Sequence, residues 1–118
     1  MSAYAVAHLR DRVFISRVEL AAGFWQRAIG LMGRRDLSSD QALFLKPCRS
    51  IHTCFMRFAL DVVFLDAENR VVRVVRSLRP WRAADGGRSA VSVLEFRTGW
   101  LPADAIHVGE TLTITCRH

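Results

Sequence analysis

Asp61-Val62-Val63-Phe64-Leu65-Asp66-Ala67-Glu68-Asn69-Arg70-Val71-Val72-Arg73-Val74-Val75 holds two apolar runs on either side of a polar break. Val and Phe fit a pleated, half-buried surface, so residues 61–65 and 71–75 read as strands. Asp, Glu and Asn between them are turn formers, and residues 66–70 read as the loop of a β-hairpin. The same period extends in both directions. Downstream, residues 90–97 alternate and form a strand, 108–110 a turn and 111–116 the last strand. A single helical turn is expected over 102–105. Upstream, residues 13–20, 42–45 and 51–55 read as strands, and 83–88 as an exposed loop.

One segment departs from this pattern. Phe24, Ala28, Leu31 and Met32 fall at helical spacing, which predicts a short amphipathic helix over 22–33 with Gly33 as its C-cap. Gly23 and Gly30 each weaken that helix by roughly 1 kcal/mol. Many short strands with one helix predict a mainly β fold (β-rich α+β). The expected form is a small antiparallel β-sandwich or partly closed barrel with one short helix near the N-terminus. A length of 118 residues, without repeats or linkers, fits a single domain over 1–118.

Composition bounds the function classes. With 51% hydrophobic residues the chain can build a core without a disulfide or metal. Cys48, Cys54 and Cys116 are odd in number and form no CxxC pair, so reduced thiols are expected. The first residues lack a basic region followed by a long apolar run, and no stretch approaches the roughly 20 apolar residues of a membrane helix. A cytoplasmic location without a membrane span is the expectation. The net charge is +6, with Lys46 the only lysine. Such a basic protein admits an anionic ligand, an acidic protein or nucleic acid as partner.

The stretches Arg27-Ala28-Ile29-Gly30-Leu31-Met32-Gly33-Arg34 and Ile51-His52-Thr53-Cys54-Phe55-Met56 stand in order before Leu60-Asp61-Val62-Val63-Phe64-Leu65-Asp66. Arg79-Pro80-Trp81, Val93-Leu94-Glu95-Phe96, Gly99 and Val108-Gly109-Glu110 follow. In that order and spacing the chain resembles the bacterial and archaeal family known as domain of unknown function 192, from about residue 13 to the C-terminus. The resemblance implies a compact, mainly antiparallel β-sandwich-like domain and supplies no reaction.

Several residues are candidates for chemistry. If 48–56 is extended, Cys48, Ser50, His52, Cys54 and Met56 share one face. Thiolate, imidazole and thioether suit copper or zinc, so His52 and Met56, with Cys48 and Cys54, form a candidate soft-metal set. Cys and Met are equally ordinary core residues, and positions two apart on a strand are about 7 Å apart. His52 and Asp61 form a candidate acid–base or ligand pair, or a structural one. Glu95 lies in an apolar strand and needs a partner if charged. Arg27 and Arg57 are candidates for that role, most simply as a helix-to-sheet ion pair. Trp81, among Arg76, Arg79 and Arg82, could stack on a base, but a loop folded over the core is the simpler expectation. Trp25 and Trp100 read as packing.

The sequence favours a non-enzymatic binding module. Its pocket near His52, Met56, Asp61, Glu95 and Arg27 would take a small ligand or a protein partner. The alternatives are a copper or zinc protein, a small acid–base enzyme, and nucleic-acid binding through the Arg-rich surface. No cofactor is clearly implied.

Overall fold

The computed structural model describes residues 4–9, 12–21, 41–53, 58–99 and 104–117. Nine strands run through them in chain order: β1 (Tyr4–Leu9), β2 (Arg12–Ala21), β3 (Gln41–Leu45), β4 (Ser50–His52), β5 (Leu60–Leu65), β6 (Val71–Leu78), β7 (Ala83–Asp85), β8 (Ser92–Arg97) and β9 (Thr113–Arg117). The fold is mainly β, as the sequence predicts. The helix expected over 22–33 lies outside the described residues, as does the first half of the turn expected over 102–105.

Seven strands form one sheet in the order β6-β5-β8-β3-β2-β1-β9, and β4 pairs with β7 in a separate two-stranded ribbon. All pairings are antiparallel except β2 with β3. A parallel pair needs a long connection rather than a tight turn, and nineteen residues stand between Ala21 and Gln41 in the sequence. The sheet curls without closing. Its edge strands β6 and β9 are not neighbours; they are drawn together by a bridge between Arg70 and Thr111. Val71 N–H donates to Glu110 O at 2.7 Å and Leu112 N–H to Asn69 O at 2.9 Å at the same seam.

β5 explains the opening sequence. It lies between β6 and β8, and all of its residues are buried, so both faces must be apolar. The hairpin to β6 is built as its composition requires. Asp66 Oδ1 accepts from Glu68 N–H at 2.9 Å and Arg70 N–H at 2.8 Å. Asn69 takes the left-handed conformation that asparagine tolerates (φ 61°).

Two clusters pack on opposite faces of the sheet. Val63, Leu65, Leu94 and Phe96 belong to one, with Ala7, Leu9, Ile106 and Leu112. Leu43, Leu60, Val62, Phe64 and Val93 belong to the other, against which Ile51 and Ala84 of the ribbon pack. Gly86, just after β7, rests against the Phe64 ring. A Cβ there would lie 2.5 Å from Phe64 Cδ1 and 2.6 Å from Ala90 Cβ, so only glycine lets the ribbon come this close.

The ribbon corrects two expectations. Residues 83–85 are a strand rather than exposed loop, because they hydrogen-bond to Ser50–His52. The strand expected over 51–55 starts at Ser50 and ends at His52, before Thr53; residues 54 and 55 lie outside the described residues. Tyr4–Leu9 is a further strand, paired with β2 and β9, that periodicity did not reveal.

Candidate functional site

The sheet sends the two candidate carboxylates to opposite sides. Asp61 is the register partner of Phe96, while Glu95 is the partner of Val62. Adjacent positions on a strand face opposite ways, so Asp61 shares the Val63 face and Glu95 the Val62 face. They do not converge on one pocket.

Asp61 is buried and fully occupied. The register of β5 on β6 shifts between Leu60 and Val62, and β6 carries the extra residue of a β-bulge there. Ser77 sits in that bulge with φ 53°. Its N–H donates to Asp61 Oδ1 at 2.8 Å, Thr98 hydroxyl donates to the same oxygen at 3.3 Å, and Arg76 Nη1 lies 3.3 Å from Oδ2. The carboxylate supplies the acceptor that β5 cannot offer at the bulge.

Glu95 sits in a cross-strand row between Leu43 of β3 and Val62 of β5. Its Oε2 is buried and has no hydrogen-bond partner among the described residues. Burial alone pushes its carboxyl up to about 8, so it is held mainly as the neutral acid near neutral pH. At 3% exposure it is out of reach of a substrate. Ser92, on the same strand, also keeps a buried hydroxyl without a partner among the described residues. Arg27 and Arg57, the expected partners of Glu95, lie outside the described residues, as do Trp25, Trp100 and the metal candidates Cys54 and Met56.

His52 stands on the outer, exposed side of the ribbon with Ser50. Cys48, expected on the same face, instead packs against the cluster beneath, and its thiol donates to Ser50 O at 3.1 Å. Among the described residues no three His, Cys, Asp or Glu side chains gather as a metal ion would require.

Thr53, which sequence reasoning passed over, connects His52 to the Arg79–Arg82 loop. It is fully buried. Its hydroxyl donates to Arg79 O and accepts from Arg82 N–H at 2.9 Å. Its backbone N–H donates to Arg82 O at 2.8 Å, and its carbonyl accepts from Trp81 N–H at 3.0 Å. The available signal was parity: Thr53 follows Ile51 on the inward side of β4, where a hydroxyl must find partners.

The clamp overturns the expectation for Trp81. The backbone is left-handed there (φ 64°), and the residue is 58% exposed rather than folded over the core. For a bulky residue this conformation costs about 1–2 kcal/mol, which the Thr53 bonds offset. Arg49, Arg73, Arg79, Arg82 and Arg88 are exposed on the same ribbon and its flanks. Arg73 Nη1 donates to Asp85 O, which ties the edge of β6 to β7. The result is a basic surface that also carries the exposed residues Trp81 and His52.

Known proteins share this frame. Residues 6–114 match the model of the DUF192 family, described as "Uncharacterized ACR". The chain is similar to a UPF0127 protein of Pyrococcus abyssi, 35% identical over 99 residues, covering 80% of this chain and 82% of the relative. A UPF0127 protein of Pyrococcus furiosus is 34% identical over 100 residues, covering 80% and 84%. Two solved structures have a similar fold at 20% identity. One is a protein of unknown function from Novosphingobium aromaticivorans (TM-score 0.79, 93% of this chain and 83% of that one). The other is a putative transcription regulator from Sinorhizobium meliloti (TM-score 0.81, 97% and 94%).

Proposed function

This chain belongs to the DUF192 family, and from that premise we propose that it is a non-enzymatic binding module whose contact surface is the β4–β7 ribbon and the Arg79–Arg82 loop. The partner is anionic. Trp81 carries the reading: a buried threonine accepts from its backbone N–H in a costly left-handed conformation, and the residue is left more than half exposed. Strain of this kind is retained where a site requires it. The exposed Arg side chains around it set the sign of the partner's charge. The acid–base alternative lacks support from the carboxylates, since Asp61 is occupied and Glu95 is sealed. The soft-metal alternative depends on Cys54 and Met56.

The reading is tested with inorganic polyphosphate by isothermal titration calorimetry at low salt. Binding is expected, with a loss of roughly tenfold or more in an Arg79→Ala/Arg82→Ala double variant as phosphate contacts are removed. No binding, or equal binding by the double variant, would contradict it. No helix among the described residues is long and apolar enough to cross a membrane.

A further inference from the structure

We propose that the anionic partner is an acidic segment of another protein, added as an extended strand along the outer edge of β4. This inference rests on the ribbon being the contact surface. The edge follows from the register. Gly86 N–H donates to Arg49 O and Thr53 N–H to Arg82 O, so Arg49, Ile51 and Thr53 turn their backbone groups toward β7. In an antiparallel pair the residues between them turn theirs the other way. Ser50 and His52 therefore present N–H and C=O on the side away from β7, where no strand among the described residues pairs with β4. The Cys48 thiol donates to Ser50 O. Ser50 N–H, His52 N–H and His52 C=O are left without a partner among the described residues, and both residues are exposed. These groups stand at the spacing of a peptide backbone, which is what an added strand meets. The matching side of β7 is already engaged, because Arg73 donates to Asp85 O.

Charge selects the occupant. Lys46 and Arg49 lead into β4, and Arg88 follows the Gly86 whose N–H is bonded to Arg49 O, so these three stand at one end of the strand. Arg79 stands at the other end, since the Thr53 hydroxyl donates to its carbonyl. Among the described residues these four cations are exposed, and their side chains enter no hydrogen bond or ion pair. The ribbon's carboxylate, Asp85, lies on β7 and is engaged locally: its Oδ1 accepts from Gly87 N–H at 2.7 Å. A second copy of this chain would bring cations against cations in either strand direction, which blocks self-pairing at the edge. The same charges attract a strand that carries Glu or Asp. A phosphate polymer can meet the cations, but it has no N–H and C=O at strand spacing to meet the edge.

The test is fluorescence anisotropy with a labelled peptide in which Glu alternates with Val, about seven residues long so that it runs past both ends of β4. Inorganic polyphosphate is titrated into the same protein for comparison. The peptide is expected to bind at low salt, and its Gln-for-Glu counterpart to bind roughly tenfold or more weakly. Arg49→Ala/Arg88→Ala removes two exposed ion pairs and is expected to weaken the peptide about two- to thirtyfold. Two further peptides carry N-methyl groups on alternate amides, one in each register. Only one of them places its methyl groups on the edge that faces β4. That one is expected to lose roughly tenfold or more, while the other keeps the parent affinity. Two methylated peptides of equal affinity, whether strong or weak, overturn strand addition. If the peptide fails to bind while polyphosphate binds, the acidic-strand assignment is overturned; the anion-binding surface then stands, with a phosphate-rich polymer as its partner. If neither probe binds, both this inference and the contact-surface reading fail.

Discussion

Replacing Glu95 by Gln is expected to remove a decline in stability that the native protein shows as pH rises from about 5 to 8. The folded-state carboxyl titrates near 8, against an ordinary value of 4.5, because burial disfavours its charged form. The native state therefore binds the proton more tightly than the unfolded chain. The stabilisation is complete below the unfolded value. It is lost progressively as pH rises towards the folded one and stops changing once both states are ionised. Between those limits the slope approaches about 1.4 kcal/mol per pH unit for one proton. Gln keeps the shape and cannot ionise, so the Gln-minus-Glu difference should climb with pH and level off above 8. Denaturant unfolding of both proteins at several pH values reads this difference directly, and other titrating groups cancel. Parallel pH profiles would show that Glu95 is ionised and paired in the folded protein.

Asp61→Ala is the second large effect, an expected loss of about 2–4 kcal/mol. The carboxylate accepts from Ser77 N–H, Thr98 hydroxyl and Arg76, and its removal leaves the bulge of β6 without an acceptor. The side chain of Arg76 is one-third exposed, so water takes part of its charge and the loss stays toward the lower part of that range. Asp61→Asn keeps an acceptor oxygen and should lose less. A lower denaturation midpoint at an unchanged m-value would identify the change as one of stability. A loss below about 1 kcal/mol would mean that the bulge holds itself. Polyphosphate binding by the folded variant should be unchanged, because Asp61 faces away from the ribbon's side of the sheet.

The hairpin from β5 to β6 was legible because local chemistry determines it. Apolar runs meet a loop whose Asp66 and Asn69 satisfy the backbone themselves. The ribbon was not legible, since Ala83-Ala84-Asp85 has weak strand propensity and becomes a strand only through its pairing with Ser50–His52. Candidate residues divided in the same way. Glu95 drew notice as a carboxylate in an apolar strand, and it is buried. That Asp61 and Glu95 point apart follows from the β5–β8 register, which no local pattern encodes. Trp81 looked like packing because its exposure depends on Thr53, distant in sequence and joined to it only by the fold.

The most direct test of the central claim is an amide chemical-shift map recorded while inorganic polyphosphate is titrated into the protein. The predicted result is a set of shifts confined to Arg49–Thr53 and Arg79–Asp85. Shifts centred on β5 and β8 around Asp61 and Glu95, or no shifts at all, would contradict it.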